Sequence, residues 1–417
     1  MATAAADLRV KEPEIDPIDV SLKELYTEDR FEEPFRQLRK HAPIQFVPDS
    51  HFGPYWSVST YKPIQHIEAL PKLFSSSWKY GGISIAFDSD KPLENEIRQP
   101  MFIAMDPPNH TAQRRTVAPS FGPSEVADMK AEVQQRTAEL LDSLPIGEPF
   151  DWVEKVSIEL TTGMLAKLFD FPWEQRHKLT EWSDYGGDVE LIRSPEGLIL
   201  RNEKLQEMGM AFAELWQQRL ANPGKDLISV MLKSDAMKDM SPEEFIGNLI
   251  LLIVGGNDTT RNSMSGYAYG LSQFPEERAK LEADPSLIPN AVQELIRWQT
   301  PLAHMRRTVE EDTDMFGPLM KKGDKVVLWY ISANRDEEIF DDGEVIKVDR
   351  ANARRHLSFG YGIHRCVGAR VAELQLHTLL EEMAKRRLRV NVLGEPERVP
   401  ACFVHGYKHM QVELSHY

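Results

Sequence analysis

The segment beginning Ser241-Pro242-Glu243-Glu244 restricts the fold more than any other. It combines an N-cap serine, a proline at the first helical position and a glutamate placed for a capping box. Phe245, Ile246 and the run Leu249 to Val254 then make the helix apolar nearly all round, so it must be buried in a large core. The run is far short of the ~20 residues that cross a bilayer, so the burial is expected within protein. Pro275 is the expected stop. In mid-helix stands Gly255-Gly256-Asn257-Asp258-Thr259-Thr260. Two interior glycines cost ~1 kcal/mol each relative to alanine, and an acid beside them is expensive to bury. Taken alone, this is a kink packed against a neighbour, with Asp258 reaching solvent, or a site that needs the opening.

Further helical patterns run over 124–144, 173–185, 194–220, 289–298 and 369–380, and short strand-like pieces over 43–47, 55–59, 325–331 and 409–414. This order predicts a mainly α fold with small β-sheets at its edges and no βαβ repeat. Residues 1–20 read as a flexible N-terminal arm and 21–417 as a single domain, since no linker, repeat or low-complexity tract divides them. The net charge of −16 argues against nucleic-acid binding, which needs a basic face. Two cysteines make no disulfide framework, and the N-terminus lacks the layout of a signal peptide; a soluble, cytoplasmic protein is expected.

Chemistry concentrates at Phe359-Gly360-Tyr361-Gly362-Ile363-His364-Arg365-Cys366-Val367-Gly368, just before a helical pattern. The glycines permit a tight turn and close backbone approach to something flat or bulky. Cys366 sits at the mouth of the helix, where free N–H groups favour the thiolate, the form that ligates metal. Cys402 has no such frame and reads as a small buried hydrophobe. One thiolate without other soft ligands cannot complete a zinc or iron–sulfur site, but it can serve as an axial haem ligand.

Phe359-x-x-Gly362-x-x-x-Cys366-x-Gly368 resembles the haem-thiolate signature of the cytochrome P450 superfamily. Glu294-Leu295-Ile296-Arg297 resembles its ExxR pair, and Gly255 to Thr259 its oxygen-activating kink. The resemblance runs from about Arg30 to the C-terminus. It implies the prism-shaped, mostly α fold of that superfamily and haem b with Cys366 as axial ligand. Glu294 and Arg297, three apart on one helical face, would form a buried structural network with Arg350. His110 and Arg114 match the family's HxxxR; with Arg307 and His364 they would meet the haem propionates, Arg306 competing with Arg307 for that role. Phe359 and Gly368 would also contact haem.

The resemblance also implies a mechanism. The Cys366 thiolate would push electron density onto iron and favour O–O cleavage. Asp258 and Thr259 would pass in the two protons that oxygen reduction requires. Peroxide-driven members lack this acid–alcohol pair, so O2 with two external electrons is expected. No GxGxxG follows a strand, and no room for a flavin or iron–sulfur domain follows residue 417, so the electrons are expected from ferredoxin and ferredoxin reductase. Arg354, Arg355, Arg365 and Arg370 are either ordinary solvated charge or a positive docking face.

Longer strings, Phe52 to Val58, Val254 to Met264 and Trp298 to Arg307, resemble the soluble bacterial alkane and fatty-acid terminal hydroxylases. They imply ω-hydroxylation of medium-length linear aliphatics in a narrow tube lined by Val254, Gly255, Leu302, Ala303 and Phe403, with Ile83, Ile85, Phe87, Leu191 and Ile192 toward its entrance. Gln375 stands where a glutamate is commoner and is expected to lie clear of the chemistry. Ser265 to Tyr269 is bulkier than expected after the kink and bears on the bore of the tube. Terpenoid or steroid substrates are the alternative. A haem sensor or carrier without turnover, and a cofactor-free scaffold with a redox-active thiol, are rivals of other classes.

Overall fold

A computed structural model describes residues 9–10, 12–86 and 100–417. The helices that shape the site are α1 (Tyr61–Glu68), α2 (Asn109–Val117), α3 (Pro123–Ser143), α4 (Glu159–Phe169), α5 (His177–Gly187), α6 (Pro195–Ala221), α7 (Pro242–Gln273), α8 (Ile288–Gln299) and α9 (Ala369–Lys385). The helices read from the sequence are all present, each within a few residues of its expected ends. Eight helices among the described residues went unread: α1, α2, α4, Lys23–Thr27, Glu32–His41, Leu227–Leu232, Pro275–Ala283 and Tyr330–Ala333.

α7 begins as its sequence dictates: the Glu244 N–H donates to Ser241 Oγ at 3.2 Å. The helix packs against α4, α5 and α8. α7 runs unbroken from Pro242 to Gln273. Its two glycines serve approach and space. A Cβ on Gly256 would lie 2.8 Å from Leu165 Cδ2 on α4, whereas one on Gly255 would meet nothing within 4 Å.

The five-stranded sheet has the order β1-β2-β6-β5-β3, from β1 (Ile44–Val47), β2 (Tyr55–Val58), β3 (Phe74–Ser75), β5 (His304–Val309) and β6 (Lys325–Trp329). Only β2 and β6 pair in parallel. β4 (Pro149–Asp151), β7 (Leu388–Val392) and β10 (Gln411–His416) form a second sheet, and β8 (Glu397–Arg398) and β9 (Tyr407–His409) a hairpin-like pair. β5 escaped the sequence reading because its adjacent Arg306 and Arg307 look like surface residues, yet all six of its residues are buried.

Part of the expected N-terminal arm is tied down. The Glu14 N–H donates to His41 O at 3.1 Å, Gln45 Nε2 donates to Ile18 O at 2.7 Å, and Val20 is fully buried. Residues 1–8 and 11 lie outside the described residues. Among the described residues, no helix is long and apolar enough to cross a membrane.

Candidate active site

Between α7 and α9 the chain leaves a cavity of about 240 Å³, open to the centres of water-sized spheres. One bound water needs only ~10–15 Å³ on that measure, so the space suits a large group. Cys366 forms part of its wall. The turn before it uses positive φ at Gly360 and Gly362, and the Cys366 N–H donates to Phe359 O at 2.7 Å. A Cβ on Gly362 would stand 2.3 Å from Glu68 O, so only glycine fits there.

Cys366 is exposed to the cavity, yet the protein packed around it desolvates the thiol and pushes it above its ordinary pKa, although the Gly368 and Ala369 N–H groups and Arg114 and Arg365 pull it down. The helix N-terminus therefore does not by itself deliver the expected thiolate; a coordinated metal, which deprotonates a thiol outright, would. Cys402 lies apart, fully buried in the core with Phe35 and Trp329.

The polar edge of the cavity is built by α2, β5 and the loop before α9. The His110 and His364 rings stand 4.2 Å apart, and all four of their ring nitrogens are buried without a hydrogen-bond partner. Burial, then Arg114, lowers the His110 pKa to about 4, and burial, then Arg307, takes His364 well below its usual value. Both imidazoles are thus neutral near pH 7, each with one N–H to give. Arg114 and Arg307 line the same cavity. The structure separates Arg307 from its neighbour by strand alternation: Arg306 turns away and donates to Tyr80 O.

Thr259, Thr260 and Ser263 of α7 face the cavity, and Thr259 Oγ1 donates back to Gly255 O at 2.8 Å. Asp258 is on the adjoining face and does not reach solvent. Its Oδ1 accepts from Ser183 Oγ at 2.8 Å, Arg261 Nη2 at 3.1 Å and Asn257 Nδ2 at 3.2 Å. Its Oδ2 lies against Gly187, itself a wall residue; a Cβ there would come within 2.8 Å of it. Burial raises the Asp258 pKa to about 6. Arg261 in turn donates to the half-exposed Asp184 at 2.8 Å.

The apolar wall includes Ile83, Leu165, Val254, Leu302, Met305 and Phe403. Several expected lining residues are elsewhere. Ala303 points into the core beside Val327 and Trp329, because along this extended segment Leu302 and Met305 take the cavity side. Ile85 is fully buried in the same core. Leu191 and Ile192 belong to a short 3-10 turn beyond the wall, where Gly186 to Val189 stand instead. Phe87 lies outside the described residues. Ser265 to Tyr269 face the helical core and leave the bore untouched, whereas Gln375, expected clear of the chemistry, is a wall residue. Sequence reasoning also missed Glu68 and Tyr330 in the wall.

Behind the cavity, Glu294 receives Arg297 Nε at 2.7 Å and Nη2 at 2.8 Å, and Arg350 Nε at 2.9 Å. Arg297 also donates to the carbonyls of Asn334, Gly343 and Val345. The Glu294 and Arg297 side chains are fully buried, and that of Arg350 nearly so. Asn334 then donates to Ser358 Oγ at 2.8 Å, which joins this network to the Cys366 loop.

One sulfur, two arginines and two imidazoles with unmet ring nitrogens, set around a space entered by bare glycine backbone, fit a flat macrocycle with an iron and two carboxylate tails. The class these features define is a haem-thiolate protein. The model of the cytochrome P450 family matches residues 112–389, and the chain belongs to that family. It is a monooxygenase with haem b as cofactor, taking electrons from redox partners and acting on small hydrophobic substrates. Among solved structures it is similar to cytochrome P450-153 from Novosphingobium aromaticivorans (57% identity, TM-score 0.90, covering 95% of this chain and 99% of that one). It is likewise similar to CYP153D17 from a Sphingomonas species (62%, 0.89, 95% and 98%). Linalool 8-monooxygenase from Pseudomonas putida is 35% identical over 95% of this chain and 98% of its own. A methyl-branched lipid omega-hydroxylase from Mycobacterium tuberculosis is 30% identical over 97% and 96%.

Proposed function

We propose that this enzyme hydroxylates the terminal methyl of medium-length linear aliphatics, alkanes or fatty acids. The observation that carries the reading is the wall of Val254, Leu302, Met305 and Phe403, apolar side chains gathered in the cavity that holds Cys366. The lipid omega-hydroxylase relative supports it. Linalool 8-monooxygenase supports a second reading, in which the substrate is a terpenoid.

Cys366 would ligate the haem iron in this reading, and His110, Arg114, Arg307 and His364 would hold the propionates. When bound, haem supplies the oxygen chemistry: O2, two electrons and two protons become one inserted oxygen atom and one water. The chain supplies the protons and excludes bulk water. Asp258, near half-protonated at pH 6 and linked through Arg261 to Asp184, takes protons from the solvent side. Thr259 retains the last water on the cavity side. Asp258 works as the protonated acid, so oxygen activation falls as pH rises through about 6. Thr259→Ala is expected to bind haem and substrate normally while sending most electrons into released hydrogen peroxide. Asp258→Asn is expected to slow turnover, flatten that pH dependence and raise the solvent isotope effect. Measured ratios of electrons consumed to product and peroxide equal to those of the parent in both variants would refute the assignment.

Electron delivery is assigned to an acidic ferredoxin served by its reductase. Arg354, Arg355, Arg365 and Arg370 are all exposed around the Cys366 loop, on a chain whose net charge is −16.

Regiochemistry tests the main reading. Internal C–H bonds are weaker than those of the terminal methyl, so a primary alcohol requires the pocket to outweigh that difference. Gas chromatography of products from an alkane, its fatty acid and linalool should show mostly the primary alcohol from the linear pair. Leu302→Ala should move product toward ω−1 and ω−2 before activity is lost. Mainly internal alcohols from the parent enzyme would defeat the terminal assignment.

A further inference from the structure

Glu68 ends α1 at the cavity wall, and the reaction as proposed makes no use of it. Its carboxyl is almost completely buried. Oε1 accepts from Arg307 Nη2 at 3.0 Å and from Tyr330 OH at 2.6 Å, while the equally buried Oε2 has no side-chain partner among the described residues, the Tyr361 N–H being a further donor at the carboxyl. The acid is also fixed in place. Its carbonyl oxygen occupies the room left by the missing side chain of Gly362, and a Cβ on Gly360 would lie 3.6 Å from Oε1.

A buried ionised carboxylate with one oxygen unmet is costly, and a neutral acid is not. The cost rises when haem is bound. Arg307 then faces two carboxyl groups, its propionate and Glu68, and two such groups sharing one cation favour a shared proton over two charges. The Tyr330 hydroxyl and the guanidinium both point at Oε1, so the proton belongs on Oε2.

We propose that Glu68 is a neutral acid in the loaded enzyme, that its Oε2–H donates to the haem propionate held by Arg307, and that loss of this proton at higher pH lowers the reduction potential of the iron. The inference rests on the assignment of Arg307 to a propionate. Glu68 acts as a positioning residue: it orients the propionate and fixes its charge, and it touches neither oxygen nor substrate. On reduction the iron takes an electron from the external donor, and Glu68 binds its proton more tightly, drawing it from water when ionised. Burial is the largest influence on Glu68 and raises its pKa; Arg307, Tyr330 and the Tyr361 N–H oppose it without cancelling it. The charged and titratable groups that face it are Arg307 from β5, Tyr330 after β6, and Tyr361 and His364 from the Cys366 loop, with His110 and Arg114 of α2 behind them. Both histidines are held neutral near pH 7 by burial and the arginines, so a proton step there belongs to Glu68 and the propionate it faces, and disappears when Glu68 cannot titrate.

Spectroelectrochemical titration of the holoenzyme over roughly pH 5.5 to 9 tests this, a range that starts above the ordinary glutamate pKa. The midpoint potential of the parent should fall through a one-proton step. Glu68→Gln keeps a donor without a titration, so it should retain haem and the red-shifted reduced carbon monoxide band but lose the step. Tyr330→Phe removes a hydrogen bond that favours the ionised acid, so its step should move to higher pH. No step in the parent, or the same step in Glu68→Gln, overturns the proposal. Should Glu68→Gln fail to take up haem, an unshifted step in Tyr330→Phe overturns it and a shifted one supports it. A parent without the red-shifted band would instead remove the haem-thiolate reading beneath it.

Discussion

Cys366→Ser is expected to lose the red-shifted reduced carbon monoxide band and to drop monooxygenation to background. The serine hydroxyl stays protonated and donates far less charge than a thiolate. The local structure should survive, because the turn is held by backbone: the Cys366 N–H reaches Phe359 O, and Gly362 fits under Glu68 whatever stands at 366. Haem can still be retained through Arg114, Arg307 and the two imidazoles, so the variant should be folded, coloured and inactive. Cys402→Ser is the control. That thiol is fully buried in a separate core, and burial raises its pKa far above the ordinary range. The hydroxyl costs some stability in that apolar core, and the spectrum should be unchanged. Normal turnover in Cys366→Ser, or loss of the band in Cys402→Ser, would overturn the ligand assignment.

The parts of this site legible in the sequence are those whose chemistry is written in local spacing. The glycines of the Cys366 turn announce a backbone that comes close to its neighbours, and Glu294 and Arg297 fall on one helical face by their separation alone. The mid-helix glycines show where local reasoning stops. Their composition suggests a kink, but what the missing side chain at Gly256 makes room for is Leu165, almost a hundred residues earlier. Wall residues on β5 depend on register, which the buried Arg306-Arg307 pair disguises; hence Ala303 was expected where Met305 stands. Glu68 was invisible for a stronger reason. Nothing around it marks it as more than a surface helix end, and its role appears only when α1, β5 and the Cys366 loop converge. Asp258 was read as part of an acid–alcohol pair, but adjacent residues on a helix point about 100° apart, so only Thr259 faces the cavity.

Glu294→Ala is expected to have the largest effect on stability. Among the described residues, the carboxylate is the only anion in a buried network that holds the guanidinium groups of both Arg297 and Arg350. Removing it leaves two buried positive charges facing each other, and breaking even a single buried pair this way costs ~3–5 kcal/mol. Set against a typical total of ~5–15 kcal/mol, that is a large share of the stability. The carbonyls of Asn334, Gly343 and Val345 still receive Arg297, but they cannot neutralise it. The damage should also reach the haem site, since Asn334 and Ser358 tie this network to the Cys366 loop. Expression should therefore yield little protein with the red-shifted band, and the remainder should unfold at much lower temperature than the parent. Asp235→Ala removes an ion pair of the opposite kind: Lys238 and Asp235 are one turn apart and largely in water, where such pairs contribute little. Its melting temperature should match the parent's. Parental stability and haem content in Glu294→Ala would show that the network contributes no more than an exposed pair, and the structural role given to Glu294, Arg297 and Arg350 would then be wrong.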